Sequence, residues 1–323
     1  YIFIISKTRA YGSQDSTTAA TDDDGEDHFL VYFLQDTATV TSPSMLSDPN
    51  VANDLTDLGR QNAEHTLTLD GQADTDTYEV FTLGSQGDYR NYIINVLDTG
   101  DEHDGVDELT VYGRDYQGTN TTTDDIFLLR ASAFIPNETA DHPGFVALLH
   151  GSLGAYQDVV QFNEDSPEVE RINYDTGING RLTVEGRGGN DAFFSDDATV
   201  ITTLDGGKGD DSFQIGQIFG EQRNIADGNL LPQDVFPDLV ATTRGWLSQG
   251  ISAPMVVQGG TGNDTFRVYS NQAELRLEGD DDNDLFIVRA FALAATTDFD
   301  WNGDNKIDAL DLDAGVQVLK ALQ

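Results

Sequence analysis

LDGGKGDDSF, residues 204–213, places two adjacent glycines, a third glycine and two adjacent aspartates between Leu204 and Phe213. Glycine at this density admits positive φ and a sharp reversal of the chain. Neighbouring carboxylates repel one another unless something neutralises them. The arrangement recurs in LTVEGRGGNDAFF (182–194), TTLDGGKGDDSFQI (202–215), MVVQGGTGNDTFRV (255–268) and LRLEGDDDNDLFIV (275–288). Each runs from an alternating strand through a Gly/Asp/Asn turn to an Asp, one spacer and a Phe. Phe193 and Phe213 are 20 residues apart, as are Phe266 and Phe286, and the pairs are offset by 266 − 193 = 73. Asp191, Asp211, Asp264 and Asp284 keep the same spacing. A strand–turn–strand unit at a fixed period predicts a solenoid, in which Leu, Val and Phe stack on their equivalents in the next rung. The expected unit is a duplicated two-rung block with an insertion between the copies.

Upstream, LDGQADTDTYEV (69–80), GVDELTV (105–111), DDIFLL (124–129) and QDVVQF (157–162) are fainter copies, with Asp two residues before an apolar or aromatic residue. HFLVYFL (28–34), LTLDG, TYEVFTL, YIINVLD, ELTVYG and DIFLLR read as strands, rich in β-branched and aromatic residues and punctuated by Gly and Asp. The expected fold is therefore all-β: a β-solenoid or β-roll of stacked strands with Gly/Asp-rich turns, an irregular N-terminal β region and one short C-terminal helix. Its expected parts are residues 1–135, the repeats of 136–290 with an insertion at 217–252 read as a short helix and loop, and a C-terminal unit at 291–323. YIFII (1–5) reads as a strand, and the chain as a processed product or a segment of something longer.

GGKGDDSFQ (206–214) and GGTGNDTFR (259–267) match the nonapeptide G-G-x-G-x-D-x-U-x in full, U being a large apolar residue. Here the chain resembles the hemolysin-type (RTX) calcium-binding repeats of secreted bacterial proteins. The resemblance implies a turn whose carbonyls point at Ca2+, an Asp supplying carboxylate oxygen, and a short strand after it. It implies side-chain ligation by Asp211 and Asp264, and backbone ligation by Gly206, Lys208, Gly259 and Thr261. By the same correspondence GRGGNDAFF (186–194) offers Gly186, Gly188 and Asp191, although Arg187 stands at its second position. GDDDNDLFI (279–287) offers Gly279, Asp281 and Asp284, with aspartates where glycines are usual. GQADTDTYE (71–79) keeps only the first Gly, the Asp and the aromatic. That family runs its nonapeptides in tandem, with Ca2+ shared between neighbouring turns. A 20-residue rung would stack Asp191 over Asp211, and Asp264 over Asp284, about 4.8 Å apart. Ca2+ takes roughly 6–8 hard oxygen ligands in flexible geometry, which carboxylates and carbonyls supply. The plainer reading of the same residues is a sharp Asx/Gly turn without metal.

A second pattern lies at DWNGDNKIDALD (300–311), which puts oxygen side chains at loop positions 1, 3, 5, 9 and 12: Asp300, Asn302, Asp304, Asp308 and Asp311. It resembles an EF-hand loop of the dockerin kind, which implies a further backbone ligand at Lys306. Asn305 replaces the usual Gly, and Asn tolerates the left-handed conformation needed there. Dockerins carry two such loops and this sequence one, so cohesin binding does not follow. A helix-capping Asp cluster is the alternative.

Charge narrows the function. With 57 acidic and 17 basic residues the formal net charge is −40, which argues against nucleic-acid binding and against an anionic membrane surface. Several Ca2+ ions are the expected partners, since they relieve the self-repulsion; a halophile's acidic surface is the alternative. The absence of cysteine removes disulfides and thiolate chemistry. It also suits a large secreted protein. No apolar run approaches a membrane span.

No catalytic residue stands out. The five histidines are scattered. In HGSLG (150–154), His150 replaces the first Gly of a nucleophile elbow, so Ser152 reads as a turn serine. The expectation is a non-enzymatic, extracellular or cell-surface structural segment of a matrix, filament or adhesin-type protein. It would be stiffened by Ca2+ and act through self-association, contact with neighbouring segments, or a cell-surface or polysaccharide partner. The alternative is a secreted carbohydrate-active enzyme or polysaccharide-binding module, which an exposed aromatic row beside a carboxylate pair would favour.

Overall fold

The computed structural model describes residues 8–11, 26–32, 66–72, 74–85, 92–98, 105–115, 123–131, 144–149, 151–153, 160–161, 169–220 and 239–291. Its strands in chain order begin with β1 (Thr8–Tyr11), β2 (His28–Tyr32), β3 (Thr66–Asp70), β4 (Thr77–Phe81), β5 (Tyr92–Leu97), β6 (Glu108–Tyr112) and β7 (Ile126–Ala131). Next come β8 (Gly144–Leu149), β9 (Ser152–Leu153), β10 (Val160–Gln161), β11 (Val169–Tyr174), β12 (Arg181–Glu185), β13 (Ala192–Ser195), β14 (Thr202–Lys208) and β15 (Ser212–Ile215). The last are β16 (Ile218–Phe219), β17 (Val240–Thr242), β18 (Gly245–Leu247), β19 (Met255–Thr261), β20 (Thr265–Val268), β21 (Leu275–Glu278) and β22 (Leu285–Val288). Among the described residues there is no helix.

Two large sheets result. One has seven strands in the order β2-β4-β6-β12-β14-β19-β21, all parallel. The other has ten, β1-β3-β5-β11-β8-β7-β13-β15-β20-β22. From β12 onward, strands of these two sheets alternate along the chain, so turns collect at two opposite edges. Alternation in sequence becomes alternation in burial. In β12, Leu182 and Val184 are buried while Arg181, Thr183 and Glu185 are half-buried, as period-two side-chain placement requires.

The inward residues form one continuous core running from Val31 to Val268. Its spine is a file of rings from the ten-stranded sheet: Phe127, Phe193, Phe213, Phe266 and Phe286. Their centroids lie 4.9, 4.8, 5.0 and 4.6 Å apart and their planes are within 15° of parallel. This is the spacing of adjacent strands, and all five occupy one register column. The 39 residues between β15 and β19 do not interrupt it, because Phe213 pairs directly with Phe266.

Within the two large sheets, the parallel stacking expected from the repeats is broken at one strand. β8, GFVALL, lies antiparallel between β7 and β11 and is buried along its whole length. Val146 and Leu148 face the main core. Phe145, Ala147 and Leu149 form a second cluster with Ile126 on the other side, and the Arg171 guanidinium covers the Phe145 ring at 3.9 Å. A strand covered on both faces reads as a continuous apolar run, so no alternation marks it.

Two local expectations are corrected. The described ends of the 217–252 insertion are strands, β16 pairing β18 and β18 pairing β17 in an antiparallel sheet. The β17–β18 hairpin turns through Thr243 and Arg244 and enters β18 at Gly245, whose φ is +141°. QDVVQF is not a rung: Val160 and Gln161 pair antiparallel with β9. YIFII and the C-terminal unit 292–323, including its expected helix, lie outside the described residues.

Candidate metal centre

The four nonapeptides at 186–194, 206–214, 259–267 and 279–287 fall on the edge where the chain leaves the seven-stranded sheet for the ten-stranded one, whereas the degenerate copy at 71–79 lies on the opposite edge, between β3 and β4. Their backbones share one signature, with left-handed φ at positions 2 and 4. Gly207 and Gly209 have φ of +91° and +128°, and Gly260 and Gly262 have +97° and +128°. The degenerate copies match: Arg187 and Gly189 at +75° and +131°, Asp280 and Asp282 at +61° and +77°, and Gln72 and Asp74 at +80° and +71°. Glycine at these positions is thus favoured by backbone conformation, and substitutes adopt the same turn under strain.

Position 1 is glycine for a different reason. A Cβ on Gly206 would lie 2.3 Å from Asp211 Oδ2 and 2.7 Å from the Gly259 carbonyl oxygen. The same cradle recurs at Gly186 with Asp191, at Gly259 with Asp264 and at Gly279 with Asp284. The first glycine and the aspartate five residues later are sterically complementary.

That aspartate brackets the rungs. The amide of Asp125 donates to Asp191 Oδ1, Asp191 to Asp211 Oδ1, Asp211 to Asp264 Oδ1 and Asp264 to Asp284 Oδ1, at 2.7–3.0 Å. The second oxygens, Oδ2 of Asp191, Asp211 and Asp264, are buried without a hydrogen-bond partner. Burial, with the charges of neighbouring aspartates such as Asp125, pushes the Asp191 carboxyl up to about 9. Burial, opposed by the Asp191 amide, pushes Asp211 up to about 7. Burial, opposed by the Asp211 amide, raises Asp264 to about 6. Each of these carboxylates is short of one favourable partner, a proton or a cation.

The oxygen set of these turns fits a hard cation in part. The carboxylate Oδ2 atoms and the glycine carbonyls of the adjoining rung crowd the same cradle. The carbonyls of Lys208 and Thr261 instead accept amides of the preceding turn, from Gly189 at 2.9 Å and Gly209 at 2.8 Å. Gly188 is buried within its turn, whereas Asp281 is exposed and its amide donates to the Gly260 carbonyl at 3.0 Å. Asp284 is half-buried in the last described turn. Asp300, Asn302, Asp304, Lys306, Asp308 and Asp311 lie outside the described residues.

The opposite edge repeats the bracket with other residues. Asp27 donates its amide to Asp76 Oδ1, Asp76 to Asp107 Oδ1 and Asp107 to Asn179 Oδ1, at 2.7, 2.8 and 3.1 Å. Here three side chains converge: Asp76, Asp98 and Asp107 each present a carboxylate oxygen within 4.8 Å of the others. Asp76 and Asp107 are buried and Asp98 half-buried. Asp76 Oδ2 has no hydrogen-bond partner. Burial, followed by the amide bond from Asp27 in the opposing direction and then the charge of Asp98, sets the Asp76 carboxyl at about 6. This buried acidic cluster can hold a metal ion.

Asp76 and Asp107 stand out in the sequence as faint repeats; Asp98 does not. Asp98 follows Leu97, which pairs with Asp70, and so stands across from Gly71. A Cβ on Gly71 would lie 1.9 Å from Asp76 Oδ2 and 2.5 Å from the Tyr78 hydroxyl, so the missing side chain there makes room for both. The one available sequence signal is a shared LD at the ends of LTLD and NVLD.

No protein-family model matches the chain, and no curated protein or solved structure matches it either.

Proposed function

We propose that this chain is a calcium-binding, non-enzymatic β-solenoid segment of a large secreted or cell-surface protein, stiffened by Ca2+ and acting through assembly or adhesion. The observation that carries this reading is the pair of rung-to-rung aspartate brackets on opposite edges of one continuous core. The Oδ2 atoms of Asp76, Asp191, Asp211 and Asp264 are buried without donors, in a chain of net charge −40. Hard divalent ions answer both needs, since they accept carboxylate and carbonyl oxygen and offset the self-repulsion. The likeness of residues 206–214 and 259–267 to RTX repeats supports Ca2+ as the ion and an extracellular setting. Among the described residues, β21–β22 end the two large sheets on one side and β1–β2 on the other, which supports self-association or contact with neighbouring segments by strand addition.

Polysaccharide binding is a second reading with one observation behind it. On the outer face of the seven-stranded sheet, Tyr32, Phe81 and Tyr112 stack in a file that continues in register to Glu185 and Asp205. Their rings lie face to face at 4.6 and 4.4 Å and the Arg187 guanidinium lies over Phe81 and Tyr112, so little ring face beyond that of Tyr32 is left for a sugar. The structural reading is therefore preferred.

Where ligands converge only in the fold, metal-binding free energy becomes folding free energy. The test is thermal unfolding with Ca2+ and with excess chelator, alongside a count of bound metal. A melting temperature that rises with Ca2+, with more than one ion per chain, supports the reading; an unchanged melting temperature and no bound metal refutes it.

A further inference from the structure

We propose that Asp76, Asp98 and Asp107 form a dedicated site for one divalent hard cation, Ca2+ in preference to Mg2+, which ties the end of β5 to the entries of β4 and β6. The site lies on the edge opposite the complete nonapeptides. It rests on the reading above in taking the bracket of Asp76 and Asp107 as one that cations neutralise, and adds Asp98 and the choice of ion.

The three carboxylates come from three different segments. Asp76 directly precedes β4, Asp107 directly precedes β6, and Asp98 directly follows β5. β4 and β6 are neighbours in the seven-stranded sheet, whereas β5 belongs to the ten-stranded one. An ion held by all three would clip the two sheets together at a point where no main-chain ladder joins them. The cluster is held in place from behind: Asp76 Oδ1 takes the Asp27 amide and Asp107 Oδ1 the Asp76 amide. Asp76 Oδ2 remains fully buried without a donor and is turned to Gly71. Three like charges with oxygens within 4.8 Å are costly to ionise together unless a cation sits among them.

The surroundings select the ion. Tyr78 hydroxyl adjoins the cluster, accepting the Gly71 amide at 2.7 Å and donating to the Leu97 carbonyl at 3.2 Å. With its proton given to the Leu97 carbonyl, the hydroxyl is a neutral neighbour of the carboxylates. Asp76 and Tyr78 have no exposed surface, Asp98 is half-buried, and the three carboxylates come from three separate segments, an oxygen set of unequal depth. Mg2+ gives up its waters reluctantly and demands octahedral geometry, while Ca2+ accepts irregular oxygen sets.

Tyr78 also supplies the readout. Tb3+ replaces Ca2+ at oxygen sites and emits when a nearby tyrosine is excited, with an efficiency that falls steeply with distance. The native chain titrated with Tb3+ should show tyrosine-sensitised emission that Ca2+ displaces at lower concentration than Mg2+. Tyr78→Phe should remove most of this emission, and Asp98→Asn should weaken Tb3+ binding at this site by about tenfold or more, as fewer charged ligands lower affinity. Asp264→Asn, on the far edge, should leave the signal intact while altering the total metal count. Absence of sensitised emission on the native chain, or emission that survives Tyr78→Phe, overturns the proposal. If Asp98→Asn does not fold, as judged by circular dichroism, Tyr78→Phe and the Ca2+/Mg2+ competition still decide. Loss of metal at Asp264 without change at Tyr78, or the reverse, separates this site from the repeat turns.

Discussion

The amide of Asp191 donates to Asp211 Oδ1 at 2.7 Å, while one residue earlier the amide of Asp210 donates back to Asn190 Oδ1 at 2.8 Å. Two ladders of opposite polarity therefore run side by side along the turn edge. The inner one passes each amide forward, through Asp125, Asp191, Asp211, Asp264 and Asp284. The outer one passes it backward, through Asp124, Asn190, Asp210 and Asn263. Amides that a tight turn would leave without a ladder partner are thereby satisfied. The adjacent aspartates of GKGDDSF have two separate tasks, one exposed and one buried.

The inner ladder sets an unusual dependence on pH. Asp191, Asp211 and Asp264 have carboxyls raised to about 9, 7 and 6, above the roughly 3.9 of a free aspartate. Between these limits the folded state binds more protons than the unfolded, so stability falls as pH rises. The contribution is complete below about pH 4 and is lost stepwise as each folded value is passed. With chelator present, the melting temperature should drop from pH 5 to pH 9, and Ca2+ should flatten that slope. Asp191→Asn, which keeps an Oδ1 acceptor and removes the charge, should melt above the native chain at pH 9 without metal. A metal-free melting temperature that climbs over this range would contradict the argument.

Adding a side chain at position 1 of one turn and removing one at position 2 of another should have opposite effects. Gly206→Ala drives a Cβ against Asp211 Oδ2 and a main-chain carbonyl, and overpacking of this sort costs about 1–3 kcal/mol. Asp280→Gly instead relieves a residue held at φ +61° and should stabilise the metal-free protein by about 1 kcal/mol. Denaturant midpoints of the two variants check the pair; a shift of the same sign in both would be inconsistent with it.

The ring file predicts a gradient along the stack. Phe213 is 1 % exposed between Phe193 and Phe266, whereas Phe286, the last ring, is 47 % exposed. Phe213→Ala should cost about 3–5 kcal/mol, the range for a buried ring, and Phe286→Ala well under half of that. Equal losses in chemical denaturation would mean that the end of the stack is covered in solution.

Much of this architecture is local, and local patterns are legible. Alternation in LTV, YEV and LTVY determined which residues face inward, because side chains of an extended chain point to opposite sides in turn. The spacing of Phe193, Phe213, Phe266 and Phe286 determined one file of rings, because identical rungs stack in register. Tertiary structure decided the rest. β8 enters antiparallel and buried on both faces, so its apolar run carries no period. Asp98 joins Asp76 and Asp107 only because β5 ends beside Gly71, a pairing across 27 residues that no motif spans. The direction in which each aspartate takes an amide was likewise settled by the neighbouring rung, since a carboxylate's burial and partners exist only once the strands have stacked.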